Sequence, residues 1–300
     1  MARKSASGRS KRGARLNAVS VGIAVAFIAS SAVLGLLVFR SRATREPLKL
    51  AHLAEGSGTG DVPRDLQLAT FLSSLTGAQK QELTGALARY DIAPIVEMPP
   101  PRQVIGSATA PVRITYWIDV LGAGSASLHQ SARETHLLLG GDKVALEPRQ
   151  FPRDGACNPK IDDRHDPSVR CLAARLLICL EGAPTYLEVA TRLIGDPHIT
   201  KAPGAVASGL SQRTLSPRRV MQDAAAGGDA VALDRCAQDP ATEAKLADDV
   251  ALASRLGNDS KPYVVVNGRR ATTSGALLRV LALTGGRSRH PAFRELPLSE

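Results

Sequence analysis

Aromatic residues are scarce, ten in 300, and Trp117 is the only tryptophan. A binding surface that stacks bases or sugars on successive rings cannot be built from so few. Cysteine is limited to Cys157, Cys171, Cys179 and Cys236, and no two of them stand in a C-x-x-C spacing. Acidic residues are missing altogether from positions 1–45, which carry nine basic ones. The formal charge of +10 therefore sits at the front of the chain. Taking those nine away leaves 29 basic residues against 28 acidic ones in positions 46–300. A nearly neutral body has no broad field to attract a phosphate backbone, so no nucleic-acid partner is expected.

Long apolar runs are also rare; one stretch, Leu16 to Phe39, holds 24 residues without a charge. About 20 apolar residues cross a bilayer as a helix. Six basic residues precede this run, and positive flanks stay on the cytoplasmic side. The expectation is a single-pass anchor with the N-terminus cytoplasmic and the remainder periplasmic or otherwise extracytoplasmic. Ser30-Ser31-Ala32 resembles a signal-peptidase site, but apolar residues continue well past it, beyond the usual 7–15-residue signal core.

The rest of the chain divides by composition. Positions 1–15 read as a basic cytoplasmic tail, 16–39 as the membrane helix and 40–63 as a stalk rich in glycine. In 64–104, Leu68, Phe71, Leu72 and Leu75, then Leu83, Leu87 and Tyr90, recur at helical spacing. Thr76-Gly-Ala-Gln79 has the form of a capping box, so two helices are predicted, followed by a connector containing Pro94 and Pro99–Pro101. The main domain spans 105–300. Val112 to Leu121 is the strongest strand signal, and Gly122-Ala123-Gly124 turns into a helix over about 125–139. Lys143 to Arg149 reads as a second strand. A helical insert of about 157–256 follows, with helices predicted over 171–194, 218–225, 230–237 and 242–256. Asn267-Gly268 between Tyr263–Val266 and Arg269–Thr273 signals a type I′ hairpin. A last helix covers about 275–283.

Strand, Gly122-Ala-Gly124-Ser-Ala-Ser127 and helix together resemble a dinucleotide-binding turn, with Glu147 placed to meet a ribose. Asp119 inside the strand and too few βα units argue against it. A hydrolase elbow fails as well, because Ser125 has no glycine two residues on and no base placed by sequence.

A second resemblance covers about residues 64–297. Trp117-Ile-Asp119-Val-Leu121 running into Ala126-Ser-Leu128-His129 resembles the first strand and helix start of DsbA-type thioredoxin-fold domains. Lys261-Pro262-Tyr-Val-Val-Val-Asn-Gly-Arg269 is similar to their proline–strand–Asn-Gly segment. Phe151-Pro-Arg-Asp-Gly-Ala-Cys157, His165-Asp-Pro, Cys171, Cys179 and Cys236 resemble a bacterial subgroup of that family, some of whose members are fused to vitamin K epoxide reductase-like membrane domains. The resemblance implies an α/β thioredoxin-like fold with a helical insertion. It also implies a cis peptide bond before Pro262, which faces the helix start, and a peptide groove at Lys261, Pro262 and Asp119. Lysine before that proline departs from the usual small or β-branched residue and favours acidic or carboxyl-bearing partners.

The family's redox Cys-x-x-Cys is replaced here by Gly122, Ala123, Gly124 and Ser125. Disulfide exchange needs a thiolate, and none of these side chains supplies one. The expectation is a non-catalytic domain, without metal or cofactor, that binds exported peptide or protein clients. The alternative is an oxidoreductase working through its remaining cysteines with a vitamin K epoxide reductase-like partner. Of three possible disulfide pairings, Cys157–Cys171 and Cys179–Cys236 are expected, closing a short loop and tying the insert together. Cys157 and Cys171 with His165 make only a loose metal pattern. His129 is read as a surface or partly packed residue, Asp119 as a buried carboxylate, and Arg269-Arg270 as a solvated edge.

Overall fold

The computed structural model describes residues 63–194, 216–257 and 262–297. The basic tail, the 16–39 span, nearly all of the stalk and the Lys261–Pro262 peptide bond lie outside the described residues. Among those residues no helix is long and apolar enough to cross a membrane.

Helices α1 (Arg64–Ser74) and α2 (Gly77–Ile92) come first, and Thr76 with Gln79 forms the capping box at the start of α2. Prolines keep the connector irregular, yet it touches both edges of the sheet through single bridges, Ile95 to Arg269 and Ile105 to Leu146. Then follow β1 (Val112–Ile118), α3 (Ala123–Leu139) and β2 (Val144–Gln150). The insertion comprises α4 (Val169–Cys179), α5 (Tyr186–Ile194), α6 (Pro217–Ala225), α7 (Ala230–Ala237) and α8 (Pro240–Arg255). The chain returns as β3 (Val264–Val266), β4 (Arg269–Ala271) and α9 (Gly275–Leu283), then a 3₁₀ turn over Pro291–Glu295. One predicted helix is corrected: 171–194 is two helices. Gly182 sits at φ 84° and Pro184 lacks an N–H, so α4 stops at Cys179 and α5 restarts beyond them.

The sheet order is β2-β1-β3-β4, with β1 and β2 parallel and β3 antiparallel to both β1 and β4. A parallel βαβ unit, a helical excursion and an antiparallel hairpin followed by a helix make a thioredoxin-like α/β fold with a helical insertion. Asn267 (φ 48°) and Gly268 (φ 77°) form the left-handed pair that a type I′ turn requires.

Strand alternation divides the interior. Ile114, Tyr116, Ile118, Leu146, Val264 and Val266 pack with α1, α2, α3 and α9 in one apolar cluster. Trp117 and Val265 face the other way, against Leu246, Val250 and Ala253 of α8 and Ala174 and Ile178 of α4. On that second face the sheet also buries charge. Arg149 donates to Glu147 and to Asp249 (2.9 Å), and Arg102 from the connector donates to Asp249 (2.8 Å) and Glu181 (2.9 Å). Gln150 N also donates to Asp249, Trp117 Nε1 donates to the Asp249 carbonyl, and Thr115 Oγ1 donates to Glu147. Glu147 is thus held inside the protein, 1 % exposed, which removes the ribose role considered for it.

His129, expected at the surface or partly packed, is instead fully inside: it is 2 % exposed. Its Nδ1 lies 3.1 Å from Tyr116 Oη and its Nε2 3.0 Å from Thr191 Oγ1. Thr191 donates its own proton to the Leu187 carbonyl, so Nε2 carries the imidazole proton and Nδ1 accepts from Tyr116. Burial, with Arg133 nearby, pulls this histidine down to about 4. Between about pH 6.5 and 4 the unfolded chain takes up a proton that the folded chain refuses. Stability contributed by His129 is complete above pH 6.5 and falls on acidification, by about 3 kcal/mol once pH 4 is reached. His129→Asn should flatten the fall across that window in urea titrations. Parallel curves for the two proteins would show that His129 is not the group responsible.

Candidate functional site

The end of β1 continues through Asp119, Val120 and Leu121 into Gly122, the N-cap of α3. This strand-to-helix turn is tight. Gly122 N donates to the Asp119 carbonyl at 2.8 Å, and Ser125 N donates to the Gly122 carbonyl at 2.9 Å. Ser125, the last of the four degenerate positions, is 3 % exposed, and its Oγ accepts from Asp119 N at 3.0 Å. That hydroxyl is built into the turn and faces no histidine. A hydrolytic role for it has no base.

Gly122 and Gly124 are glycines for a reason of space. A Cβ on Gly122 would stand 3.0 Å from Asp119 Oδ2 and 3.1 Å from Ser125 Oγ. A Cβ on Gly124 would come within 2.4 Å of Pro262 Cγ, closer than real atoms approach. Pro262 is therefore seated directly on the first turn of α3, and Gly124 is the residue that permits it. Asp119 lies beneath the turn, 6 % exposed. Burial raises its carboxyl above the usual carboxylate range, and the Arg170 guanidinium bonded to Oδ2 works in the opposite direction.

Arg170 is a residue that sequence reading missed. It is held in place by a chain of local contacts. Asp154 accepts from Ala156 N, His165 N, His165 Nδ1 and Ser168 Oγ. Burial alone would raise the Asp154 carboxyl, but these donors outweigh it and hold it below the usual range. Ser168 in turn caps α4 by accepting from Cys171 N. The Cys157–Cys171 disulfide closes the same loop, and Arg170 in the first turn of α4 then reaches Asp119. Its position next to Cys171 was the one available signal.

Cys179 is bonded to Cys236, joining α4 to α7. All four cysteines are therefore in disulfides and no free thiol exists. His165 points to Asp154, not to a sulfur. No group of ligating side chains among the described residues could hold a metal ion. In thermodynamic terms the two closures, 14 and 57 residues apart, restrict the unfolded chain by about 3 and 4 kcal/mol.

Pro262 also lines a cavity of about 530 Å³ between the end of α2 and the β3–β4 hairpin, which Arg89, Tyr263, Arg270 and Thr272 share. The edge reading of Arg269-Arg270 holds, with β4 last in the sheet and Arg270 exposed, and both side chains make contacts there. Arg269 donates to the backbone carbonyls of Asp91 and Ala93, and Arg270 lies 4.8 Å over the Tyr263 ring.

What this arrangement cannot do is exchange disulfides at the helix start. What it offers is a proline-backed turn with an open cavity beside it. No family model matches the sequence, and no curated protein does. Solved structures do show likenesses. The chain is similar to BdbD from Bacillus subtilis in its oxidised form, at 15 % identity and TM-score 0.48, over 65 % of this chain and 97 % of that one. It is similar to the thiol-disulfide exchange protein alpha-DsbA2 from Wolbachia pipientis at 13 % identity and TM-score 0.41, over 74 % and 97 %. It is also similar to a thioredoxin-like oxidoreductase from Silicibacter pomeroyi at 20 % identity and TM-score 0.41, over 56 % and 81 %.

Proposed function

We propose that this chain is a membrane-anchored, extracytoplasmic, thioredoxin-like protein that binds extended peptide segments of exported clients without thiol chemistry. The observation that carries this reading is the seating of Pro262 on Gly124 at a helix start that has no thiol. The topology that brings a proline-led strand opposite a helix N-terminus is present, while the reactive atom is not. The segment 16–39 with its basic prefix supports the anchor. Two disulfides support an oxidising compartment. Accessory work in envelope protein folding is the role that fits these features.

Peptide binding is tested by calorimetric titration of N-acetyl-Ala-Val-Gln-Val-Gln-Ala-amide into the full-length chain in detergent. Saturable one-to-one binding is expected. Gly124→Val, which drives side-chain atoms into Pro262, should weaken it by about tenfold or more while the protein stays folded. Absence of binding, or undiminished binding by the variant, would remove the peptide-groove reading.

A further inference from the structure

We infer that the cavity beside Pro262 is a carboxylate site, so that the groove selects acidic peptide segments over neutral ones. The inference rests on the peptide-groove reading and adds a chemical preference to it. Arg89, from the last turns of α2, and Arg270, from the edge strand β4, line the same cavity. Every acid pairing found among the described residues involves other cations, and neither of these two guanidinium groups has one.

Arg270 is nonetheless held. It lies over the Tyr263 ring, a contact that orients the planar group while leaving its N–H edge for an acceptor. Thr272 also lines the cavity, and its buried hydroxyl has no hydrogen-bond partner. Two exposed guanidinium groups without an acidic partner, beside Pro262 and Tyr263, match a carboxylate carried on an extended, partly apolar chain. A neutral peptide brings no charge to complement them. Lys261, noted from sequence as favouring acidic partners, lies outside the described residues and is not needed for the argument.

The test compares N-acetyl-Ala-Val-Glu-Val-Glu-Ala-amide with its glutamine counterpart, using the full-length chain and its Arg89→Gln/Arg270→Gln variant. The acidic peptide should bind wild type at least about tenfold more tightly, as expected for a charge-assisted hydrogen-bonded contact. The preference should shrink as salt is raised. The double variant should lose the preference and bind the two peptides with equal affinity. Equal affinity of wild type for both peptides, or a preference that survives in the variant, would overturn the carboxylate site while leaving the groove intact. Binding of neither peptide would overturn the groove and the site together.

Discussion

Asp249→Ala is expected to lower the unfolding free energy by about 3–5 kcal/mol, because it takes the shared acceptor from several interior donors at once. Asp249 is fully buried and is the shared acceptor of two guanidinium groups, Arg149 from β2 and Arg102 from the connector. Its Oδ2 also accepts Gln150 N, a backbone donor with no water to turn to. Removing the carboxylate strands all three donors at once. Glu147 would still hold Arg149 and Glu181 would still hold Arg102, so the chain should fold, but with a lower urea midpoint. Asp249→Asn keeps the shape and one acceptor oxygen and should lose less. A loss below about 1 kcal/mol for the alanine variant would mean that the network is solvated or rearranges freely.

That network shows where sequence reading reached its limit. Local signals were legible because their physics is local. The capping box at Thr76 and Gln79, the Asn267-Gly268 turn and the α9 span are each fixed by neighbours a few residues apart. The strand-to-helix turn at Gly122 and the proline-led strand at Pro262 could be placed because their order implied a sheet topology. Contacts between distant positions could not. Arg102 and Asp249 are 147 residues apart, and nothing in the charge pattern marks them as partners. His129 reads from sequence as a surface or partly packed residue, whereas it is fully buried and its two hydrogen-bond partners come from β1 and α5. Arg170 and Arg270 belong to the same class, as cations whose setting is made by elements brought in from elsewhere in the chain. The helix break near Gly182 and Pro184 was visible in sequence, but the apolar residues on both sides masked it.

Gly122, Ala123, Gly124 and Ser125 form the start of α3, as the strand-to-helix turn in the sequence implies. The structure adds that Gly122 and Gly124 fit their surroundings closely, one against Asp119 and the other against Pro262. The turn is closed by contacts that a Cβ at either glycine would crowd. Ser125 gives its oxygen to the Asp119 N–H, so it is a structural part of the turn.

The claim that this is a binding turn without redox chemistry predicts the larger functional effect, a complete absence of turnover. A helix N-terminus activates a thiolate, and here there is no sulfur to activate. The remaining cysteines are locked as Cys157–Cys171 and Cys179–Cys236, the first pair buried in the core that also holds Trp117. Exchange by the protein as attacker requires a free thiolate, and all four cysteines are bonded; Cys179–Cys236 is the more exposed of the two pairs. The direct measurement is the initial rate at which the full-length chain oxidises a reduced dithiol peptide, or reduces insulin, in a glutathione buffer. The account predicts a rate equal to that of buffer alone. A rate clearly above background would contradict it, and one that persisted with Cys157, Cys171, Cys179 and Cys236 all changed to serine would leave no part of the account standing.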